Sequence, residues 1–338
     1  MSRVLQNPII QRYINYIGDS RARAALGALF GRFLLSGDMR YVTFAEGTSV
    51  PASAQAGYSP GCKFILSNAA LGQCSEWTNI GSATSCLFVP SGPVLGYGVK
   101  YVGGPLDCTN GSTTSNMLAG FVQPTDLCFA GMFESDDNDQ VQANVPAGKN
   151  YVLVTNSADP LNAHDFQVAV LRNKCMPDWD IFAAGTYTPI AGDTTTIAIT
   201  VAGAQAGDLA FANYGATDDT DVIRKCVVSA NTLTITADVD PAAAHTIHYV
   251  IFRPRGTFKP SHYIAYAGTH TPAGAETAAV ATTITGALAT DIPIVAWHTS
   301  DDADTILKAV MTANTLTTTL SADPEVAHAI NYMILRAY

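Results

Sequence analysis

Residues 321–336 read SADPEVAHAINYMILR, and two earlier stretches of the chain repeat this pattern. Residues 238–253 read DVDPAAAHTIHYVIFR, and residues 157–172 read SADPLNAHDFQVAVLR. The aspartates of the three Asp-Pro pairs are separated by 81 residues (159 to 240) and by 83 residues (240 to 323). Self-similarity at a nearly fixed period indicates one structural unit used three times.

A second block recurs in step with the first. An aspartate before an apolar run occurs as Asp126, Asp208 and Asp291, and an acidic cluster begins ten residues after each of them. Because two separate blocks share one period, the repeat extends over the whole of each unit. The repeats are predicted at residues 94–175, 176–258 and 259–338, and the first is degenerate, with Val168 where the others have Tyr249 and Tyr332.

Each repeat is predicted to contain about six short strands with turns roughly every ten residues. In the last copy, alternation and turn residues predict strands at Tyr263–Thr269, Ala278–Ile284, Ile292–Trp297, Thr305–Met311, Leu316–Leu320 and Ala329–Leu335. Asn314-Thr315, matched by Asn231-Thr232 and Asn150-Tyr151, indicates the turn between the fourth and fifth strands. Strands without intervening helices are typical of an antiparallel β-sandwich.

The N-terminal part has a different pattern. Residues 1–56 are predicted to be a helical and extended arm, in which apolar residues recur at helical spacing after Pro8 and Ser20 caps a second helix. Residues 37–60 have the composition of a loop, and residues 57–93 are predicted to be a small β-meander. The expected fold class is mainly β: an N-terminal helical arm, a small β-meander, and three tandem antiparallel β-sandwich repeats of about 80 residues.

Charge is distributed unevenly along the chain. The net charge is −10, yet residues 1–40 contain six arginines and two aspartates. The acidic remainder argues against nucleic-acid binding, since phosphate contacts need clusters of lysine and arginine. The basic arm is interpreted as an amphipathic helix packed on its own body, or as a docking arm for an acidic protein surface or a membrane interface. We favour a protein interface, because the arginines are too few for a strong lipid signal.

The cysteines and the apolar segments give no sign of secretion. Seven cysteines are scattered singly without a CxxC motif, which predicts reduced, mostly buried thiols, although a disulfide among Cys62, Cys74 and Cys86 is an alternative. The apolar stretch 24–35 is interrupted by Arg32 and is too short to span a bilayer. We therefore expect a soluble chain without a signal peptide.

The acidic clusters are candidate cation ligands. Three carboxylates within four residues offer the oxygen atoms that calcium prefers, and the weak candidates are Asp218, Asp219, Asp221, Asp301, Asp302 and Asp304. The alternative is a polar turn between the third and fourth strands, where aspartate bonds its own backbone. We favour the turn, because neither EF-hand spacing nor a distal glutamate is present.

The repeated histidines and arginines are interpreted as structural. His164, His245 and His328 each follow an Asp-Pro pair, and no serine, cysteine or glutamate recurs with them as a catalytic partner. Arg172, Arg253 and Arg336 end the same strand and are expected to form ion pairs or to contact a neighbouring repeat. The sequence also contains no phosphate loop, HExxH, GxSxG or dinucleotide motif. We therefore expect no enzymatic activity and no cofactor.

Together, the repeat signature and the segments Tyr58-Ser59-Pro60-Gly61-Cys62 and Ser85-Cys86-Leu87-Phe88 resemble virion proteins of tailed bacteriophages, in particular head-decoration modules. The resemblance covers residues 57–338 and implies a structural role on the capsid exterior after synthesis in the host cytoplasm. It implies the major capsid protein and copies of the chain itself as partners, and trimers are common in that role. The arm would anchor the protein through Arg12, Arg21, Arg23, Arg32, Ile14, Leu29 and Phe30.

An alternative is a head-fibre or tail adhesin whose repeats bind host surface glycans. Trp297, Tyr214 and Phe133 occupy closely corresponding positions before the acidic clusters and could form a stacking surface, or else belong to the core. A secreted or cell-surface β-repeat protein is disfavoured by the missing signal peptide.

Overall fold

The computed structural model describes residues 42–94, 96–108, 114–117, 122–134, 141–147, 149–156, 164–190, 193–216, 222–238, 245–272, 278–299, 305–322 and 329–338. Within these ranges every helix or strand element is a strand, so the described part is mainly β. Residues 1–41 of the expected helical and extended arm lie outside the described residues, and the described remainder, residues 42–56, contains strand Val42–Gly47 and no helix. The chain forms two compact units: the described residues of the N-terminal unit are 42–68 and 76–91, and those of the main unit are 69–75 and the described ranges from 92 to 338.

The N-terminal unit is a four-stranded sheet. Its strands are β1 (Val42–Gly47), β2 (Tyr58–Leu66), β3 (Glu76–Asn79) and β4 (Phe88–Pro90), in that spatial order. Strands β2 to β4 are antiparallel and form the expected meander, whereas β1 pairs in parallel with β2. The expectation of a loop over residues 37–60 is therefore wrong for β1. Its side chains do not give a clear apolar alternation, since Phe44 is exposed, and the strand is stabilised by pairing with β2.

Aromatic side chains fill the core of the N-terminal unit. Trp77 and Phe88 are fully buried, and the edges of Tyr58 and Phe64 meet Phe88 at centroid distances of 5.2 and 5.8 Å. The buried amide of Asn79 donates to the carbonyls of two β2 residues and accepts from two backbone N–H groups beyond β3. This one side chain satisfies the backbone where β3 ends, as a buried polar group must.

The main unit contains eighteen strands in the described ranges. They are β5 (Tyr97–Cys108), β6 (Thr114–Met117), β7 (Leu127–Glu134), β8 (Val141–Asn144), β9 (Val152–Asn156), β10 (His164–Asn173), β11 (Trp179–Tyr187), β12 (Thr196–Thr200), β13 (Leu209–Ala216), β14 (Ile223–Ser229), β15 (Thr232–Ala237), β16 (Thr246–Pro254), β17 (His262–His270), β18 (Ala279–Thr283), β19 (Ile292–Thr299), β20 (Ile306–Thr312), β21 (Thr315–Leu320) and β22 (Ala329–Ala337). The six strands predicted in the last copy are all present as β17 to β22. We call β5–β10, β11–β16 and β17–β22 the first, second and third groups.

The same pairing occurs in all three groups. In each, the sixth strand lies antiparallel between the first and the third, as β5-β10-β7, β11-β16-β13 and β17-β22-β19. The fifth strand likewise lies antiparallel between the second and the fourth, as β6-β9-β8, β12-β15-β14 and β18-β21-β20. A register shift recurs in the first strand of each group, one residue after Val99, Ile181 and Ile264.

The described residues of the main unit form four apolar cores. Each group has its own local core, around Phe166 in the first, Ile235 in the second and Leu316 in the third. The fourth core is shared, because all three groups contribute to it at equivalent positions of their first, third and sixth strands. Its members are Val99, Val102, Leu127, Phe129, Ala169 and Leu171 from the first group, Ile181, Leu209, Phe211, Val250 and Phe252 from the second, and Ile264, Ile292, Ile294, Ala296, Met333 and Leu335 from the third.

Contacts between the groups follow one cyclic order. The fourth strand of the second group, β14, lies against β7 of the first group, and β20 of the third lies against β13 of the second. The fourth strand of the first group, β8, pairs in parallel with β19 of the third. Every group therefore contacts both of the others in the same way, and the shared core is enclosed between them.

Asparagines make the turns between the fourth and fifth strands of the second and third groups. Asn231 and Asn314 have φ angles of 59° and 63°, a left-handed conformation that asparagine tolerates better than most residues. Their side-chain oxygens accept the N–H groups of Gly203 and Gly286. The turns predicted from Asn231-Thr232 and Asn314-Thr315 are confirmed.

The cysteines are buried thiols wherever their side chains are described. Cys62, Cys74, Cys86, Cys128, Cys175 and Cys226 are all free, so none of these six forms the disulfide that the sequence left as an alternative. Burial, with a smaller contribution from the neighbouring Cys86, raises the pKa of Cys62 to about 11. Burial also raises the pKa of Cys128, Cys175 and Cys226, so the thiolate is disfavoured at these three residues as it is at Cys62.

Candidate functional site

The most regular polar feature of the main unit is an arginine–aspartate pair at the end of each sixth strand. Arg172 pairs with Asp126, Arg253 with Asp208, and Arg336 with Asp291. In every pair Nε donates to Oδ1 at 2.8–2.9 Å and Nη2 donates to Oδ2 at 2.6–2.7 Å. This is the bidentate geometry in which a planar guanidinium matches a carboxylate best. The two blocks that recur in the sequence thus contact each other in the fold.

Tight turns position the aspartates. The backbone N–H of Asp126, Asp208 and Asp291 donates to the carbonyl three residues earlier, and the N–H of that earlier residue donates to the aspartate Oδ2. Each carboxylate therefore accepts a backbone hydrogen bond as well as two from arginine. The aspartate side chains are almost fully buried, and these bonds compensate for the loss of water.

Arg253 and Arg336 also contact the turn that follows the second strand of their own group. Nη2 of Arg253 donates to the Gly203 carbonyl at 2.8 Å, and Nη2 of Arg336 donates to the equivalent Gly286 carbonyl at 2.9 Å. The Arg253 guanidinium also lies 3.8 Å from the centre of the Phe182 ring, a cation–π distance. Hydrogen bonding to their carboxylates raises the pKa of Arg172 and Arg336.

These contacts define what the pairs can do chemically. The arginine Nε and Nη2 groups that face each aspartate donate to its two carboxylate oxygens, as Arg253 does to Asp208. The carboxylates face arginine rather than a cavity. Each pair therefore links the end of the sixth strand to the start of the third strand in its group. The structure contains the ion pairs that we expected of the three arginines. The sequence did not identify the aspartates as their partners.

Only one of the three repeated histidines has a described side chain. His245 is fully buried and its ring meets Tyr214 edge-on at a centroid distance of 5.4 Å. His164 begins β10 as expected, but its side chain lies outside the described part, as does the whole of His328. The described contact of the His245 ring is with the side chain of Tyr214, and the structural role of the three histidines stays a prediction.

Several predicted site residues lie outside the described residues. These are the acidic-cluster residues Asp218, Asp219, Asp221, Asp301, Asp302 and Asp304, and the anchoring candidates Arg12, Arg21, Arg23, Arg32, Ile14, Leu29 and Phe30. Within the described ranges, no group of three or more histidine, cysteine, aspartate or glutamate side chains is arranged to hold a metal ion.

The candidate stacking aromatics are core residues where they are described. Tyr214 and Trp297 are each 3% exposed and belong to the local cores of the second and third groups. Strand pairing places both opposite an isoleucine of the sixth strand, and the equivalent position in the first group is Met132 rather than Phe133. Tyr214 and Trp297 therefore present no surface on which a glycan could stack.

A set of polar residues that sequence reasoning missed lies beside the shared core. Gln167, His248 and Asn331 occupy one equivalent position of the sixth strand, opposite Gly131, Asn213 and Ala296. Gln167 hydrogen-bonds both the N–H and the carbonyl of Ala210 in the second group. Asn331 donates to the carbonyl of Cys128 in the first group at 2.7 Å, and Thr269 donates to the Asn331 side-chain oxygen. These bonds join one group to the next.

The third member of this set behaves differently. His248 bonds Thr186 of its own group at 2.9 Å through Nδ1, and burial lowers the pKa of its ring to about 4. Because the three residues differ in type, a search for repeated chemistry cannot find them. These residues could have been found from a different signal, namely a polar residue inside a strand whose other residues follow an apolar pattern.

A second polar cluster lies where the first strands of the groups come together. Asp180 Oδ2 is 3.5 Å from Arg255 Nε, and Arg255 also donates to the Gly92 carbonyl and to Cys74 Sγ. In the described part of the chain, Asp180 Oδ2 is buried without a hydrogen-bond donor. Burial raises the pKa of Asp180 to about 6, and Arg255 opposes that shift.

Comparison of the chain with protein-family models, with curated proteins and with solved structures finds no match. In the described residues no helix is long and apolar enough to cross a membrane.

Proposed function

We propose that residues 94–338 are three tandem copies of one antiparallel β-sandwich and that the chain is a structural protein of a tailed-phage virion, which decorates or cements the capsid. The observation that carries this proposal is the threefold recurrence of the arginine–aspartate pair around one shared core. In this interpretation the recurrent polar residues hold the scaffold together. A protein built in this way resists deformation, which is what a shell component needs.

The proposed attachment is through the part of the N-terminal arm that precedes β1, residues 1–41. Its excess of arginine complements an acidic shell surface, and its apolar residues supply hydrophobic burial. The proposed partners are the major capsid protein and copies of the chain itself. Many weak contacts from arm and body would add up to firm attachment through avidity.

Deletion of residues 1–36 tests the anchoring. Full-length and truncated protein are incubated with capsids that lack the chain, and each is followed into the capsid band of a density gradient. We expect the full-length chain to sediment with capsids and the truncated chain to remain at the top, while its circular-dichroism spectrum keeps the β-type signal of a folded body. Equal sedimentation of the folded truncated chain would contradict the anchoring role.

One feature of the structure favours the adhesin alternative. Although Tyr214 and Trp297 are buried, a groove between the first and third groups presents other tyrosines to solvent. Decoration requires many copies per particle, whereas an adhesin is needed in a few, so copy number separates the two functions.

A further inference from the structure

An open groove of about 360 Å³ lies between the first and third groups of the main unit. Half-buried Tyr97, Tyr266 and Tyr332 form its walls, and it is lined as well by Leu71, Gly96, Asn173, Lys174, Ala265, Ala267, Thr283, Ile284 and Thr285. We call this site the tyrosine groove. Small-ligand sites of about 300–1,000 Å³ are typical of proteins, so the volume suits a small ligand.

The groove exists because the groups differ at one position. Ala265 lies at the register shift of β17, and the residue at the same shift of β11 is Phe182. Phe182 packs edge-on against Phe258 at a centroid distance of 5.5 Å and covers Arg253, so in the second group this region is filled. In the third group the alanine leaves the space open. The first group has Lys100 at this position, so all three groups differ here and only the third has a side chain as small as alanine.

The lining combines apolar surfaces with polar groups at the rim. Ala265 and Ile284 are buried beneath the groove, whereas Asn173, Lys174 and Thr283 are exposed around it. Burial and the neighbouring Tyr97 raise the pKa of Tyr332, which agrees with two phenol rings held close together. Tyrosine supplies an apolar face and a hydroxyl from one rigid side chain.

We propose that the tyrosine groove binds a saccharide that carries an acidic group. The apolar faces of a sugar ring match the tyrosine walls, its hydroxyls match the asparagine and threonine side chains at the rim, and Lys174 provides charge complementarity for the acidic group. The volume accommodates about one or two sugar rings. This inference goes beyond the proposed decorating function and does not depend on it.

Two variants and one matched control test the site. Thr283→Trp blocks the groove from an exposed strand position, and Thr200→Trp places the same side chain at the equivalent exposed position of the second group, since both threonines pair with the threonine that begins the fifth strand. Lys174→Asn removes the charge and is compatible with the left-handed backbone at this residue, where φ is 52°.

The full-length chain and the three variants are applied to an array of matched neutral and acidic oligosaccharides. We expect wild type and Thr200→Trp to bind acidic members, Thr283→Trp to lose binding, and Lys174→Asn to bind them about tenfold more weakly, as the loss of one charged hydrogen bond implies. Thermal unfolding confirms that each variant is folded. Binding that Thr283→Trp leaves unchanged, or the absence of wild-type binding to any acidic member, would overturn the proposal.

Discussion

Arg253 is the most enclosed arginine of the three pairs, with 11% of its side chain exposed above an aspartate that is 3% exposed. Replacing Asp208 with alanine would leave the guanidinium among Phe182, Phe258 and a carbonyl without a counter-charge. Breaking a buried ion pair by removing one partner costs about 3–5 kcal/mol. We therefore expect Asp208→Ala to lower the free energy of unfolding by about that amount in urea denaturation.

The exposed ion pair Lys63–Glu76 is the control for that measurement. Its side chains are 47% and 40% exposed, although the two atoms are only 2.8 Å apart. Exposed pairs of this kind contribute at most about 1 kcal/mol, so Glu76→Ala should have little effect. An Asp208→Ala variant no less stable than Glu76→Ala would show that the arginine–aspartate pairs do not stabilise the fold.

His248 makes stability depend on pH. Its pKa in the folded protein is about 4, below the usual 6.5, so the unfolded chain binds the proton more readily. The contribution of His248 to the free energy of unfolding is largest above pH 6.5 and is lost as the pH falls toward 4. Asp180 acts in the opposite direction, because its raised pKa of about 6 favours the folded state as the pH falls below 6.

His248→Gln separates the two effects, because glutamine is the residue at the equivalent position 167. Between pH 7.5 and pH 5, the free energy of unfolding should fall by roughly 1–2 kcal/mol more in the wild type than in the variant. Asp180 contributes equally to both proteins, so its effect cancels. Unfolding in urea at the two pH values gives the difference. Equal losses would mean that His248 does not sense pH.

At the scale of elements, local pattern predicted the strands well and their partners less well. The alternation in residues 329–335 and the asparagine turns predicted β17 to β22, because those features act within a few residues. Strand β1 was missed, because its stability comes from pairing with β2 rather than from its own pattern. The arginine–aspartate pairs join residues 45 or 46 positions apart, a separation at which sequence spacing gives no geometric information.

The hairpin turn between β20 and β21 gives a prediction at this scale. Asn314 has a φ of 63°, and its side-chain oxygen accepts the Gly286 N–H at 2.6 Å. Asn314→Ala should lower the free energy of unfolding by about 1–2 kcal/mol, because alanine is strained in the left-handed conformation and one hydrogen bond is lost. Asn314→Gly should be less destabilising because glycine adopts this backbone freely. Denaturation midpoints of the two variants measure the difference, and a glycine variant no more stable than the alanine variant would contradict this account.

At the scale of the whole molecule, the shared core should make the three groups unfold together. Phe252 is fully buried in that core, and its replacement by alanine should cost about 3–5 kcal/mol. Hydrogen exchange should then accelerate in strands of all three groups. Ile235→Ala, in the local core of the second group, is the control and should act mainly on its own strands. Faster exchange confined to the second group in Phe252→Ala would show that the groups are independent.

The shared core could not be predicted from the sequence, for a physical reason. The faces of the sixth strand that line the local and shared cores are both apolar, as in Ile334 and Leu335, so the strand pattern does not show that the two faces belong to different cores. Only the cyclic packing of β14, β20 and β8 against a neighbouring group shows that the second face belongs to a common core. Each repeat is thus less self-sufficient than its length suggested.

Copy number tests the structural role most directly. Quantitative mass spectrometry of gradient-purified particles gives the number of these chains relative to the major capsid protein. A decorating or cementing protein should be present in a simple ratio, near one per capsid subunit or one per capsomer. A few copies per particle would contradict decoration and favour an adhesin, and complete absence from the particles would contradict any virion role.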